Sequence, residues 1–268
     1  MKPVTKIGVF DSGLGGLTVL NEICRYTRGL ELIYFGDTAR VPYGSRPAET
    51  ITRYACQDVR FLLSQGVEAV VIACGTVSAN CMDTLRETFD LPILGVIEPS
   101  VEAALEQSKN KRIGVLGTKA TVDSRAYEKC IRRNCPEAVV FSKACPLFVP
   151  LVENGFAAED PITVMTVERY LSAFKDSGVD TVIMGCTHYP FLAETLRRQM
   201  PGVAFVHSGV ALSQGLQREL KLNSGERKEE NRVRYCFSDE DTGFLDIAKE
   251  HLDCLRIQKP QLIRIDNY

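Results

Sequence analysis

Short β-rich runs that are apolar on both faces need a sheet covered on both sides, and this chain has nine of them. They begin with Ile7-Gly8-Val9-Phe10, Leu32-Ile33-Tyr34-Phe35, Ala69-Val70-Val71-Ile72-Ala73 and Ile93-Leu94-Gly95-Val96. They continue with Ile113-Gly114-Val115-Leu116, Val139-Val140-Phe141, Val182-Ile183-Met184, Ala204-Phe205-Val206 and Val233-Arg234-Tyr235-Cys236-Phe237. Helical periodicity fills the gaps, at about 15–27, 47–65, 77–89, 100–109, 121–134, 160–176, 189–199, 209–221 and 240–252. Helices between buried strands supply the crossovers that parallel pairing requires. The pattern predicts an α/β fold of doubly wound parallel sheets.

The pattern also repeats. The run from Ile7 corresponds to Ile113-Gly114-Val115-Leu116-Gly117-Thr118, each leading into a helix. Later in each half an apolar run ends in cysteine and threonine: Ala73-Cys74-Gly75-Thr76, and Gly185-Cys186-Thr187. The spacings are 67 residues (7 to 74) and 73 residues (113 to 186). Two similar α/β lobes are therefore expected, with a boundary near Pro99. The polar stretch 223–231 reads as a solvated loop.

Charge and cysteine content narrow the function. With 32 Lys+Arg against 34 Asp+Glu in 268 residues, and no basic cluster longer than Arg132-Arg133, a nucleic-acid partner is not expected. No apolar run reaches the roughly 20 residues of a membrane span. Strand-like sequence begins by Lys6, so no export signal is expected. The ten cysteines lack CxxC pairing and read as reduced thiols of a cytoplasmic protein.

In open parallel sheets, ligands bind beyond the carboxyl ends of the strands. Five such ends here are polar and glycine-rich beyond what packing needs. They are Asp11-Ser12-Gly13-Leu14-Gly15-Gly16, Asp37-Thr38-Ala39-Arg40-Val41-Pro42-Tyr43-Gly44-Ser45, Cys74-Gly75-Thr76, Gly117-Thr118-Lys119-Ala120-Thr121 and Cys186-Thr187-His188-Tyr189. The first lacks the lysine of a P-loop and the GxGxxG spacing, which leaves a nucleotide without its usual cradle. A cysteine where a strand meets a helix is expected to have a lowered pKa, and two in matching places suggest a pair. Packing alone would make Cys74 and Cys186 small buried residues. A zinc site of Cys74, Cys186 and His188 would have poor ligand spacing and no second pair.

Together these segments resemble the glutamate racemases, the cofactor-independent members of the aspartate/glutamate racemase family. The resemblance rests on Gly8-Val9-Phe10-Asp11-Ser12-Gly13-Leu14-Gly15-Gly16, Gly36-Asp37-Thr38-Ala39-Arg40-Val41-Pro42-Tyr43-Gly44, Val96-Ile97-Glu98-Pro99, Leu116-Gly117-Thr118-Lys119-Ala120-Thr121, Leu147-Phe148-Val149-Pro150-Leu151-Val152-Glu153 and Met184-Gly185-Cys186-Thr187-His188-Tyr189-Pro190. It implies two pseudosymmetric lobes, 1–97 plus 208–268 and 98–207, with the active site between them. By the same resemblance Cys74 and Cys186 are the acid/base catalysts, assisted by Asp11, Asp37, Glu153 and His188. Substrate would be held by Asp11, Ser12, Pro42, Tyr43, Gly44, Gly75, Thr76, Thr118, Thr121, Thr187 and His188. No cofactor and no metal are expected, and the implied protein is a cytoplasmic homodimer that supplies D-glutamate for peptidoglycan.

The chemistry fits. Inverting a free amino acid means removing a weakly acidic Cα proton from one face and returning one to the other. Without an electron sink, two placed groups must do this, and a thiol pKa near 8.5 makes both protonation states reachable. One departure stands out: the family usually has Asn after the first cysteine, whereas this chain has Gly75. Restoring Asn there is expected to keep activity and tighten substrate binding. Gly75 also leaves open a racemase for aspartate or another amino acid. A cysteine hydrolase using Cys186 and His188 would leave the second thiol unexplained.

Overall fold

The computed structural model describes residues 4–220, 222, 229–240 and 243–268. Its strands are β1 (Lys6–Asp11), β2 (Glu31–Gly36), β3 (Ala69–Ile72), β4 (Ile93–Gly95), β5 (Arg112–Gly117), β6 (Val139–Ala144), β7 (Thr181–Met184), β8 (Ala204–His207), β9 (Arg232–Phe237) and β10 (Gln261–Leu262). Its helices are α1 (Leu17–Tyr26), α2 (Ala48–Ser64), α3 (Gly75–Asn80), α4 (Met82–Thr88), α5 (Ile97–Gln107), α6 (Lys119–Asp123), α7 (Ala126–Asn134), α8 (Phe148–Glu153), α9 (Pro161–Leu171), α10 (Ala193–Gln199), α11 (Ser208–Glu219) and α12 (Phe244–His251). Among the described residues no helix is long and apolar enough to cross a membrane.

The strands form two wholly parallel sheets, ordered β10-β9-β2-β1-β3-β4 and β6-β5-β7-β8. The order β2-β1-β3-β4 in the first sheet repeats as β6-β5-β7-β8 in the second. In each, the chain goes to one side of its first strand and then crosses to the other. That reversal leaves a crevice between β1 and β3 in one sheet and between β5 and β7 in the other, the place where open α/β sheets bind ligands. Phe10 pairs with Ile72, and Leu116 with Met184, so residues 12 and 74, and 118 and 186, leave their sheets side by side.

Burial on both faces explains the continuous apolar runs. Ile7 and Val9 face a central cluster that also takes in Leu116, Val182 and Met184 of the second sheet and Leu212 of α11. Phe10, Ile33 and Phe35 point the other way, onto Val59 and Leu62 of α2. In the second sheet Ile113, Val115 and Ile183 meet Val101 of α5 and Ile131 of α7. Each large aliphatic or aromatic side chain so buried contributes about 1.5–3 kcal/mol. The central cluster welds the two sheets into one body.

The nine expected strands form, and most of the differences lie among the helices. The stretch 77–89 is two helices, because Cys81 leaves helical backbone at φ −125°. Arg125, at φ 57°, divides 121–134 into α6 and α7. Pro99, near which the lobe boundary is expected, lies in the first turn of α5, where its missing N–H costs nothing. Two elements were not foreseen: α8, which contains Pro150, and the two-residue edge strand β10. The expected loop at 223–231 lies largely outside the described residues.

Candidate active site

The carboxyl ends of both sheets open onto one cavity of about 300 Å³, the lower end of the range for small-ligand sites. Cys74 and Cys186 both line it, with Ser12, Pro42, Tyr43, Gly44, Gly75, Thr76, Thr118, Glu153, Thr187 and His188. Of the expected site residues, Asp11, Asp37 and Thr121 stand behind this wall and act on it through hydrogen bonds. Lys119, Cys145, Pro146, Val149 and Pro150 also line the cavity and were not singled out from sequence.

The two thiols have different surroundings. Cys74 ends the β3 connection and donates to Ser12 Oγ at 3.2 Å. The expected lowering of its pKa at a helix start does not hold. Burial dominates, the nearby Asp11 carboxyl adds to it, and the thiol is pushed up to about 12. Cys186 is followed by a short 3-10 turn, Tyr189–Leu192, instead of an α-helix. Its sulfur lies 3.8 Å from His188 Nδ1, and His188 Nε2 lies 3.0 Å from Glu153 Oε1. Burial alone would drive protons off this imidazole. Cys186 and Glu153 outweigh it and push its pKa up to about 10, so at neutral pH a cation sits between sulfur and carboxylate. Helix α8 exists at the site to bring Glu153 to that imidazole.

Asp11 joins the halves. Its carboxyl accepts from Gly13 N at 3.1 Å and from Thr187 Oγ1 at 3.4 Å, and Thr18 Oγ1 donates to the carbonyl of Thr187 at 2.9 Å. Burial raises its pKa, with the His188 charge working against that rise. Opposite, Thr118 Oγ1 lies 3.0 Å from both Thr76 Oγ1 and Thr121 Oγ1, so Thr121 positions a hydroxyl that faces the cavity.

Asp37 belongs to a buried cluster beneath the 41–45 loop. It accepts from Arg40 Nε at 2.6 Å, from Ser238 Oγ at 2.8 Å and from Tyr43 Oη. Asp58, in the middle of α2, accepts from Arg40 Nη2 at 2.7 Å and lies 3.0 Å from Tyr43 Oη. Burial, and then the neighbouring Asp37, hold the Asp58 carboxyl well above its ordinary pKa. The Tyr43 hydroxyl sits between the two carboxyl groups. Arg40 and Asp58 are positioning residues that sequence reading missed. The signal was available, since Asp58 interrupts the stripe Ile51, Ala55, Val59, Leu62 on the buried face of α2.

Asparagine cannot simply be restored after Cys74. A Cβ on Gly75 would fall 2.2 Å from the carbonyl oxygen of Gly185. The glycine here serves space, against the expectation drawn from sequence.

Two thiols brought from matching strand ends to one small cavity, with hydroxyls and backbone N–H groups around them, define an enzyme that moves protons at carbon. The sequence model of the Asp/Glu/hydantoin racemase family matches residues 7–214. The glutamate racemase of Aquifex pyrophilus is 49% identical over 216 residues, 81% of this chain and 84% of the relative. The structure of Francisella tularensis glutamate racemase with D-glutamate superposes with a TM-score of 0.88 at 33% identity, covering 98% of this chain and 99% of that one. The Thermus thermophilus enzyme with β-chloro-D-alanine gives 0.84 at 36% identity, covering 99% and 100%. The chain belongs to the Asp/Glu/hydantoin racemase family and, within it, to the glutamate racemases.

Two outcomes follow from the site's charges. Arg40→Met leaves Asp37 and Asp58 buried without their cation and should cost about 3–5 kcal/mol, read as a lower urea midpoint at unchanged slope. His188 has a raised folded pKa, so its contribution to stability is complete below its ordinary value of 6.5 and is lost as pH rises toward about 10. The Tm gap between wild type and His188→Asn should therefore narrow from pH 6.5 to pH 10. A gap that widens would show that the imidazole is neutral in the folded site.

Proposed function

We propose that the chain interconverts L- and D-glutamate by a two-thiol mechanism with Cys74 and Cys186 on opposite faces of Cα. One observation carries the reading: two free cysteines from equivalent strand ends, one per sheet, line the same cavity. One sulfur, as thiolate, takes the Cα proton while the other, as thiol, delivers its proton to the opposite face. The bonding pair left on Cα takes the new proton, so atoms and charge balance. Each turnover moves the enzyme's proton from one sulfur to the other.

The supporting groups fall into two sets. His188, held charged by Glu153, is positioned to face a negative Cys186. Ser12 accepts from Cys74, and Asp11 fixes the turn that presents Ser12. The hydroxyls of Thr76, Thr118 and Thr187 and the N–H groups of the 43–44, 75–76 and 187–188 turns suit the ammonium and carboxylates of glutamate. The family resemblance assigns the D-glutamate proton to Cys74 and the L-glutamate proton to Cys186. Among the described residues no group of three or more His, Cys, Asp or Glu could hold a metal, and the chemistry proposed here calls for none.

The wider setting is part of the same proposal. Ten free thiols suit a reducing cytoplasm. Exposed apolar side chains on and beside α9, Leu147, Ile162 and Met165, suit a homodimer contact. The product would feed peptidoglycan synthesis. A hydrolase reading would use one cysteine and leave its counterpart idle, so the paired geometry favours racemisation.

Incubation in D₂O should put deuterium at Cα of both L- and D-glutamate, unaffected by EDTA, with L-aspartate much slower. Cys74→Ser and Cys186→Ser should each abolish racemisation in both directions, because a serine hydroxyl forms an alkoxide far less readily than a thiol forms a thiolate. A 3-chloro analogue of glutamate separates the half-reactions, since chloride departs after a single proton abstraction. Cys74→Ser should still eliminate from the L analogue, and Cys186→Ser from the D analogue. Loss on the same enantiomer in both variants would refute the two-face mechanism.

A further inference from the structure

Gly75 lies at the closest approach of the two thiol-bearing turns. Its φ is outside the left-handed region, so its backbone does not call for glycine. Space does. An added Cβ would lie 2.2 Å from the carbonyl oxygen and 3.1 Å from the carbonyl carbon of Gly185, and 3.8 Å from Cys186 Cα. Gly185 immediately precedes Cys186, as Gly75 immediately follows Cys74.

The second-sheet side of this contact cannot yield. Gly185 N donates to the carbonyl of Leu116 at 2.8 Å. A Cβ on Gly185 would meet that same oxygen at 2.8 Å and the Tyr127 ring at 3.1 Å, so the Gly185 backbone is already wedged between them and α3. The α3 side is tied across this contact through side chains instead of backbone N–H groups. Its ties across the seam are the Thr76–Thr118 hydroxyl pair at 3.0 Å and Asn80 Nδ2 donating to the carbonyl of Ala120 at 3.4 Å. A side chain at position 75 would therefore displace the Cys74–Thr76 turn and leave Cys186 in place.

We infer that Gly75 is a positioning residue that sets the separation of the two sulfurs, by letting the turn after Cys74 rest directly on the backbone before Cys186. The inference rests on the two-thiol reading above. It makes the glycine a requirement of this chain's active-site spacing and not a lost substrate contact.

Gly75→Ala tests it, because alanine adds only the Cβ. Racemisation needs both sulfurs, so kcat/KM should fall at least about 30-fold in both directions, displacements on the order of 1 Å costing about 100-fold in comparable cases. Elimination of chloride from the L-3-chloroglutamate analogue needs one sulfur, assigned to Cys186, so it shares any loss of the 75–76 substrate contact but not the loss of spacing, and racemisation should fall at least about tenfold further than elimination does. Gly75→Asn should behave like Gly75→Ala, with KM unimproved. Racemisation that survives in Gly75→Ala, or improves in Gly75→Asn, overturns the inference. So does a parallel loss of racemisation and L-elimination, or a variant without a cooperative melt, since the contact would then serve the fold instead of the spacing. A wild-type protein that racemises no glutamate fails the underlying reading, a result separate from the ratio between variant and wild type.

Discussion

Everything at this site depends on how closely two sheet edges can be brought together. A thiol transfers a proton only over a short distance, and the Cα to be inverted is a single atom. In the proposed reaction the two sulfurs must therefore be held on either side of it by backbone that belongs to different sheets. The central apolar cluster supplies the force, since it includes side chains from both sheets and from α1 and α11. Polar contacts fix the register: Asp11 with Thr187, Thr18 with the Thr187 carbonyl, Thr76 with Thr118. Small residues permit the approach. A Cβ on Gly15 would strike His188 Nδ1 at 2.4 Å, just as one on Gly75 would strike Gly185. The seam is set by backbone packed on backbone, which deforms little.

The buried charges serve the same end from behind. Asp37, Arg40, Asp58 and Tyr43 tie the loop after β2 to the middle of α2, and Ser238 ties in the strand β9. Two carboxyl groups and one guanidinium in a dry environment are costly unless every member is satisfied. Here each carboxyl has at least two partners. Such a cluster adds little net stability, but it gives the 41–45 loop one position over the cavity. Gly44 uses that position, its carbonyl accepting from Ala120 N at 3.0 Å across the seam.

Periodicity made the strands legible, because burial on both faces writes itself as unbroken apolar runs. The repeat then placed Cys74 and Cys186 at equivalent ends. What sequence could not display was distance across the seam: Asp11 and Thr187 are 176 residues apart, and no local pattern links them. Helix α8 was hidden because Phe148-Val149-Pro150-Leu151-Val152 reads as an apolar run with a breaker, whereas a proline in a first turn needs no N–H partner. Gly75 was read as a missing amide because the sequence shows which side chain is absent and not what fills its place. The pKa of Cys74 was misjudged for a related reason. A helix start was visible in sequence, but the depth of burial that outweighs it was not.

The unlike surroundings of the two thiols must be reconciled with the symmetry of the reaction. L- and D-glutamate have the same free energy in water, so kcat/KM must be equal in the two directions at every pH. Yet Cys74 faces a neutral hydroxyl beside a buried carboxyl, while Cys186 faces a charged imidazole. Both conditions hold if the difference lies between two forms of the free enzyme, one for each position of the shared proton. Burial and Asp11 resist removal of the proton from Cys74. Under the proposed assignment, the enantiomer deprotonated by Cys186 binds the form that carries its proton on Cys74, and the other enantiomer binds the form that carries it on Cys186. Scarcity of the competent form raises the apparent KM by the inverse of its fraction. A maximal rate or an intrinsic affinity that rises in the same proportion keeps the quotients equal. Unequal thiols thus leave the two directions balanced, so a pseudosymmetric fold can keep an asymmetric pair.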